Sequence, residues 1–347
     1  MLYITTRNTD EVFTAYHTYA KDRPEDGGFY VPFRIPVYSK DEIHSFTQKN
    51  FGQCVAEILN LFFSAGLTGW DVDFCIGKNP VKLISMSHKI LIAESWHNHD
   101  WNMERSVRDI AKKITANTEL HHAPTNWVWI AVRVAFLFGI FREIMSNDTV
   151  DYSKGIDVAV PTGDFSAPVA VWYAKKMGLP IGNIICGCND NGNLWELLHH
   201  GQMHADEAVI QTATPDADFS IPSNLERLIS ATLGKEETDS YLQTCEKGGV
   251  YAPNEENIAA LREGFTAAVV SGKRMESVIR NVYNASSYLL GPYSALAYGS
   301  LQDYRSRMVE SRAALIFTER SPLCDCATVS KALDLSEQII RDRLGVN

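Results

Sequence analysis

The sequence predicts an α/β fold built on a mostly parallel sheet with crossover helices. Two observations carry this. From residue 156 onward, short β-branched runs alternate with stretches of helical periodicity, and Val160-Pro161-Thr162-Gly163 passes through a single glycine turn from strand to helix. A third observation is consistent with it: 347 residues, 45% hydrophobic and 21% charged, supply ample core for a chain of about two domains.

Taken in order, residues 2–4 read as a strand and 12–19 as a short helix. Asp26-Gly27-Gly28 is a turn into a strand at 29–32, where Pro32 limits further ladder pairing. Between 41 and 64, Ile43, Phe46, Val55, Ile58, Leu59 and Phe62 recur at helical intervals. A strand at 89–93 ends in a polar-aromatic cluster, 95–102, which holds Trp96, His97, His99, Asp100 and Trp101. Residues 105–114 read as a helix with Lys112 and Lys113 near its end. The apolar stretch 127–145 carries Arg133 and is too short for a comfortable membrane span, so it reads as a buried helix. Strands are expected at 156–160, 183–188 and 208–212, with helices at 168–177 and 194–199. Helices dominate 224–303, and 313–317 returns as a strand. No repeat or linker marks a boundary, so topology alone divides the chain into a 1–115 portion and a large 116–347 α/β domain with a helical insertion.

Composition narrows the partners. Thirty-two basic against 42 acidic side chains give a formal charge of −10, which argues against nucleic acid or an anionic membrane. Seven cysteines, an odd number, fit a reducing compartment better than a disulfide framework, and the first residues lack the features of a signal peptide. A cytoplasmic protein is expected. His97/His99, His121/His122 and the Cys186/Cys188 and Cys324/Cys326 pairs match no strong zinc spacing, so no metal is assigned.

The run Val160-Pro161-Thr162-Gly163-Asp164-Phe165-Ser166 carries the chemistry, because the amides of a glycine turn entering a helix form an anion site. It resembles the V-P-T-G-N-F-G loop of threonine synthases, pyridoxal-phosphate enzymes of the tryptophan-synthase β type. Ala174 to Ile181 resembles that family's A-x-K-M-G-L-P-I, and Gln211-Thr212-Ala213-Thr214-Pro215 its Q-T-x-S-P. Ser223-Asn224-Leu225-Glu226-Arg227-Leu228 resembles its S-N-F-E-R-L, Tyr3 to Arg7 its Y-x-S-T-R, and Asp26 to Pro32 its D-G-G-L-Y-V-P. Asn126-Trp127 stands where the family has N-S-I-N-W. The resemblance implies a three-layer α/β/α fold, a cofactor loop of Thr162, Gly163, Asp164, Phe165 and Ser166 with Asn189 and Thr318, and substrate contacts at His97 and Asn126.

Two departures shape the expected function. The family's H-G-P-T-x-A-F-K-D motif, laid from His97, puts Glu104 on the Schiff-base lysine, and a carboxylate cannot form an imine. Only residues 106–125 then separate this motif from Asn126, where the family carries a small mobile domain, so that domain is expected to be deleted. Asp164 replaces the loop's asparagine and would repel a phosphate facing the same turn. The leading expectation is a threonine-synthase-like protein without threonine synthase activity, binding a small anionic or amino-acid-like ligand in a residual cleft, with no cofactor assigned. The alternatives are an active pyridoxal-phosphate lyase acting on O-phosphohomoserine or a related amino acid, its lysine supplied by Lys112 or Lys113, and a structural partner subunit. A homodimer is expected, because a deleted domain leaves an apolar face to cover; the 127–141 helix, Trp96 and Trp101 are the candidates for that contact.

Overall fold

The computed structural model describes residues 1–77, 79–96, 103–115, 125–148 and 150–345. The chain opens with β1 (Leu2–Thr5), β2 (Phe13–Thr14), α1 (Ala15–Ala20) and β3 (Tyr30–Pro32), and the three strands form an antiparallel sheet in the order β2-β1-β3. Its turn is tight: a Cβ on Gly28 would lie 2.7 Å from Thr6 Oγ1. The helical interval that follows is three pieces, α2 (Lys40–Ser45), a single 3₁₀ turn and α3 (Phe51–Phe63). Capping boxes at Ser39 and Asn50 start the two α-helices, and α4 (Gly69–Ile76) starts at a third on Thr68.

Next come β4 (Lys82–Met86), β5 (Ile90–Glu94), α5 (Met103–Thr115), α6 (Trp127–Asn147), β6 (Ile156–Pro161), α7 (Ser166–Lys176), β7 (Ile181–Cys188), α8 (Asn193–His200) and β8 (Met203–His204). The remainder is α9 (Leu225–Lys247), β9 (Val250–Tyr251), α10 (Glu255–Arg262), β10 (Phe265–Val269), α11 (Gly272–Ser286), α12 (Pro292–Ser306), β11 (Ala314–Thr318), α13 (Cys326–Leu333) and α14 (Glu337–Arg343). The main sheet has the order β10-β7-β6-β11-β5-β4, with every pair parallel except the edge strand β4 on β5. Among the described residues between β5 and α6 there is one helix, α5, and no strand.

Strand periodicity makes the three layers. Leu91, Ala93, Val158, Val160, Ile184, Cys186, Leu315 and Phe317 face one way and pack with α3, α6 and α7. Their neighbours Ile90, Ile92, Ala159, Ile185, Ala314 and Ile316 face the other way and pack with α11, α12 and α13. With both faces covered, these strands read as continuous apolar runs. Helix α6 is the spine of the first layer: Trp127, Phe136, Phe138 and Phe141 are all buried, and Trp96 is buried as well. These side chains therefore do not form the exposed apolar face on which the dimer expectation was founded. Trp101 lies outside the described residues.

Several elements differ from the sequence reading. Residues 208–212 form no strand, because Asn191 and Asp218 take the backbone groups of that segment into a loop. Strand β10 lies within a stretch read as helical; its small residues Ala267 and Ala268 carry little β signal, and parallel pairing with β7 supplies the missing preference. Strand β4 was also unread, since it forms only an antiparallel edge and its pattern is half polar.

Candidate functional site

Helix α7, which follows β6, packs on one face of the sheet, while α13, which follows β11, packs on the other. The chain thus leaves two adjacent parallel strands in opposite directions, and a crevice opens outside their carboxyl ends. A cavity of about 560 Å³ occupies this crevice. Its floor is Pro161, Thr162, Phe317 and Thr318, and its walls come from α5 (Met103, Glu104), α6 (Trp129, Arg133), the start of α7, the 216–219 segment and the start of α12. Gly187 allows α12 to reach it: a Cβ there would lie 2.5 Å from the Leu296 backbone, so only glycine lets the helix sit directly on β7.

The loop before α7 is filled from within. Phe165 is held in the left-handed region (φ +69°) by its buried ring, which packs 5.8 Å from that of Phe265. This conformation turns Asp164 back over the helix start. Its Oδ1 accepts from the Ser166 amide at 2.9 Å and from the Ser166 hydroxyl. Its Oδ2 accepts from Asn224 Nδ2 at 3.0 Å, and its carbonyl from the Asn224 amide at 2.9 Å. Asn224 Oδ1 in turn accepts from Arg227 Nη1. Arg227 is fully buried, donates to Thr125 O at 2.8 Å, and stacks 4.4 Å from the Phe29 ring. Burial pushes its pKa down to about 10, against the opposing pull of Tyr173 and Asp164.

Arg133 is the other buried cation. Its Nε and Nη2 hold Glu319 bidentately at 2.7 and 2.8 Å, and its Nη1 donates to Ser166 Oγ at 3.1 Å. Burial alone would lower its pKa, but the Glu319 carboxylate overrides this and holds it above the ordinary value. Arg320 is similarly committed, with Nε and Nη2 on Asp325 and Nη1 on Asp216. Tyr293, on the same wall, accepts from the Asp216 amide at 3.0 Å, and burial pushes its phenol up to about 12.

Of the residues singled out in the sequence, the structure brings Glu104, Thr162, Gly163, Asp164, Ser166 and Thr318 to this cavity. Phe165 supports the loop from the core side. Asn189 does not line the cavity; its Nδ2 organises the following loop through Thr214 Oγ1 at 3.0 Å and Asp218 Oδ1 at 2.7 Å. Asn126 caps α6 through the Val128 amide at 2.8 Å and donates to Asp22. His97, with His99 and Asp100, lies outside the described residues. Thr318 is spent internally: its hydroxyl donates to Ala93 O and accepts from Trp96 Nε1, both at 3.1 Å. Glu104 is exposed and paired with Arg108 at 2.6 Å. No lysine is among the described residues lining the cavity. Lys112 and Lys113 stand in the last turn of α5, about 12 Å along the helix from Glu104, and pair with Asp109 and Asp71. Pyridoxal phosphate, which the fold family implies, therefore finds neither an imine-forming amine nor a vacant loop here. The sequence reading did not assign Arg133, Asp216, Ser294 or Glu319 to the site. Arg133, the one charged residue between Trp127 and Phe141, was the local signal available.

Comparison with known proteins agrees with this fold. The family model "Threonine synthase N terminus" matches residues 2–78. Human threonine synthase-like 1 is 29% identical over 178 residues, which is 50% of this chain but only 24% of that protein. Threonine synthase of Saccharomyces cerevisiae is 26% identical over 213 residues, 55% of this chain and 41% of the relative. The chain thus spans well under two thirds of the curated relatives it matches. In fold, a PLP-bound threonine synthase from Brucella melitensis superposes with a TM-score of 0.83 at 18% identity, covering 100% of this chain and 95% of the other. The yeast threonine synthase structure gives 0.83 at 16% identity, covering 99% and 94%. Matched in sequence over about half its length and in fold throughout, the chain resembles threonine synthases and threonine synthase-like proteins.

Proposed function

We propose that this protein does not carry out threonine synthase chemistry and instead binds a small, unphosphorylated, amino-acid-like ligand in the cleft between β6 and β11. The observation that carries the reading is the placement of Asp164. Its carboxylate takes the Ser166 amide and hydroxyl, donors that the same loop would otherwise offer to a phosphate. Glu104 at the aligned lysine position and the pairing of Arg133 with Glu319 support it. Of the two ligand classes the resemblance left open, anionic and amino-acid-like, the second suits this wall. The test is a titration of the full chain with pyridoxal phosphate, followed by absorbance and thermal unfolding. Neither an imine band nor a shift in midpoint is expected, and a band abolished by replacing one lysine would establish the lyase reading instead.

A cytoplasmic homodimer remains part of this proposal. With the aromatics of α6 buried, the exposed stacked pair Trp70 and Phe74 on α4 is the apolar surface that would seat it. Light scattering over a dilution series tests this: Trp70→Ala should lower a dimeric mass, and a monomer mass throughout would end the idea. Among the described residues no helix is long and apolar enough to cross a membrane.

A further inference from the structure

We infer that two copies of this chain meet through the groove between α4 and α5, each seating its Trp70 in the groove of the other. The inference rests on the homodimer reading above and specifies its contact.

Helices α4 and α5 pack together and leave between them an open groove of about 410 Å³. Among the described residues it is lined by Phe74 and Cys75 from α4 and by Arg105, Asp109, Lys112 and Lys113 from α5. None of these lines the cleft between β6 and β11. Lys113 Nζ lies 5.4 Å from the centroid of the Phe74 ring, so the groove offers an aromatic wall beside cations. One turn before Phe74, Trp70 is 77% exposed and stacked on it, with ring centroids 6.3 Å apart. The i, i+4 spacing puts both rings on one face of α4. A protruding indole thus stands beside a groove suited to an indole, within a single patch. Two-fold association uses such a patch twice, because residue i of one copy meets j of the other and j meets i.

Charge supports a second copy as the occupant. Helix α4 carries Asp71 and Asp73 and no base, a formal −2. Helix α5 carries Arg105, Arg108, Lys112 and Lys113 against Glu104 and Asp109, a formal +2. Seating Trp70 in the opposite groove lays the acidic helix of each copy on the basic helix of the other. Each copy has a formal charge of −10, which opposes self-association through most faces; this one sums to zero and escapes much of that repulsion. The area also suffices. An aromatic side chain buries about 150–250 Å². With Trp70 77% and Phe74 65% exposed, covering both pairs removes roughly 500 Å², and the groove walls beneath them about as much again. The sum reaches the ~1,000 Å² that a specific interface needs.

The test uses the full chain and two variants, followed by light scattering across a dilution series, with circular dichroism to confirm that each folds. Trp70→Ala removes the protruding ring, and Lys112→Trp blocks the groove at a half-exposed position. Each alone should raise the dimer Kd at least tenfold. An equimolar mixture of the two should recover at least fivefold, because the mixed dimer keeps one Trp70 and one open groove that fit each other, and its missing ring faces the blocked groove. A wild type that is monomeric at every concentration overturns the homodimer and this contact together. A dimer that neither substitution weakens leaves the homodimer standing and overturns the contact alone. Weakening by both with no recovery in the mixture also overturns it, since Trp70 and the groove then lie at the interface without meeting.

Discussion

Replacing Asp164 with asparagine preserves the shape of the side chain and removes its charge. The Asn224 amide cannot turn to accommodate the change, because its Oδ1 is held by Arg227 and its Nδ2 therefore faces position 164. An asparagine at 164 can offer an acceptor to Ser166 or to Asn224, but not to both, and one donor must then face another at about hydrogen-bonding distance. The variant thus loses one bond to a charged group and weakens the remainder, including the long-range attraction to the buried Arg133 and Arg227. With bonds to charged groups contributing about 1.5–3 kcal/mol, and Asp164 half-buried, the expected loss is ~2 kcal/mol. Urea unfolding with an unchanged m-value measures it. The freed donors then face the cleft, so inorganic phosphate should restore part of the loss in the variant and none in the wild type. At ten times its Kd the recovery is about 1.4 kcal/mol. The reasoning is refuted if Asp164→Asn is as stable as the wild type, or if phosphate stabilises the wild type equally.

Three further outcomes follow. Glu104→Lys should leave the protein without imine absorbance in pyridoxal phosphate, since Asp164 still fills the loop; an imine band in that single variant would show an intact cofactor pocket. Glu319→Gln should cost about 3–5 kcal/mol in chemical denaturation, because it leaves the buried Arg133 without its counter-charge, while Arg133→Met/Glu319→Leu should recover most of the loss; an equally unstable double variant would exclude the ion pair as the cause. Of the seven cysteines only Cys324 is exposed. Burial pushes Cys188 up to about 11 and Cys75 likewise to about 11, which keeps these thiols protonated and unreactive near neutral pH. One fast thiol per native chain is expected in a disulfide-exchange titration, and rapid reaction of several would contradict the packing described.

Much of the fold was legible because the main strands are covered on both faces. The runs Ile90–Glu94, Ile156–Pro161, Ile181–Cys188 and Ala314–Thr318 are apolar without interruption, and their boundaries fell within one or two residues of the reading. Where pairing, and not composition, makes a strand, as at β10 and β4, the sequence was silent. The candidate site was legible only in its contiguous part. Thr162 to Ser166 announce themselves as a strand–turn–helix, whereas Arg133, Asp216, Ser294 and Glu319 reach the cleft from four separate places in the chain, and nothing local marks them as neighbours.

The sequence by itself determined the kinds of groups available: a glycine turn with an aspartate where the resembled loop has asparagine, a glutamate in place of a lysine, and an arginine inside an apolar helix. Only the tertiary structure decided what those groups do to one another. It turned Asp164 inward onto Ser166, because the buried ring of Phe165 holds the preceding turn left-handed. It set Glu319 against Arg133 across 186 residues of chain. Charge and hydrogen bonding act over a few ångströms in space, and distance along the chain does not specify that separation.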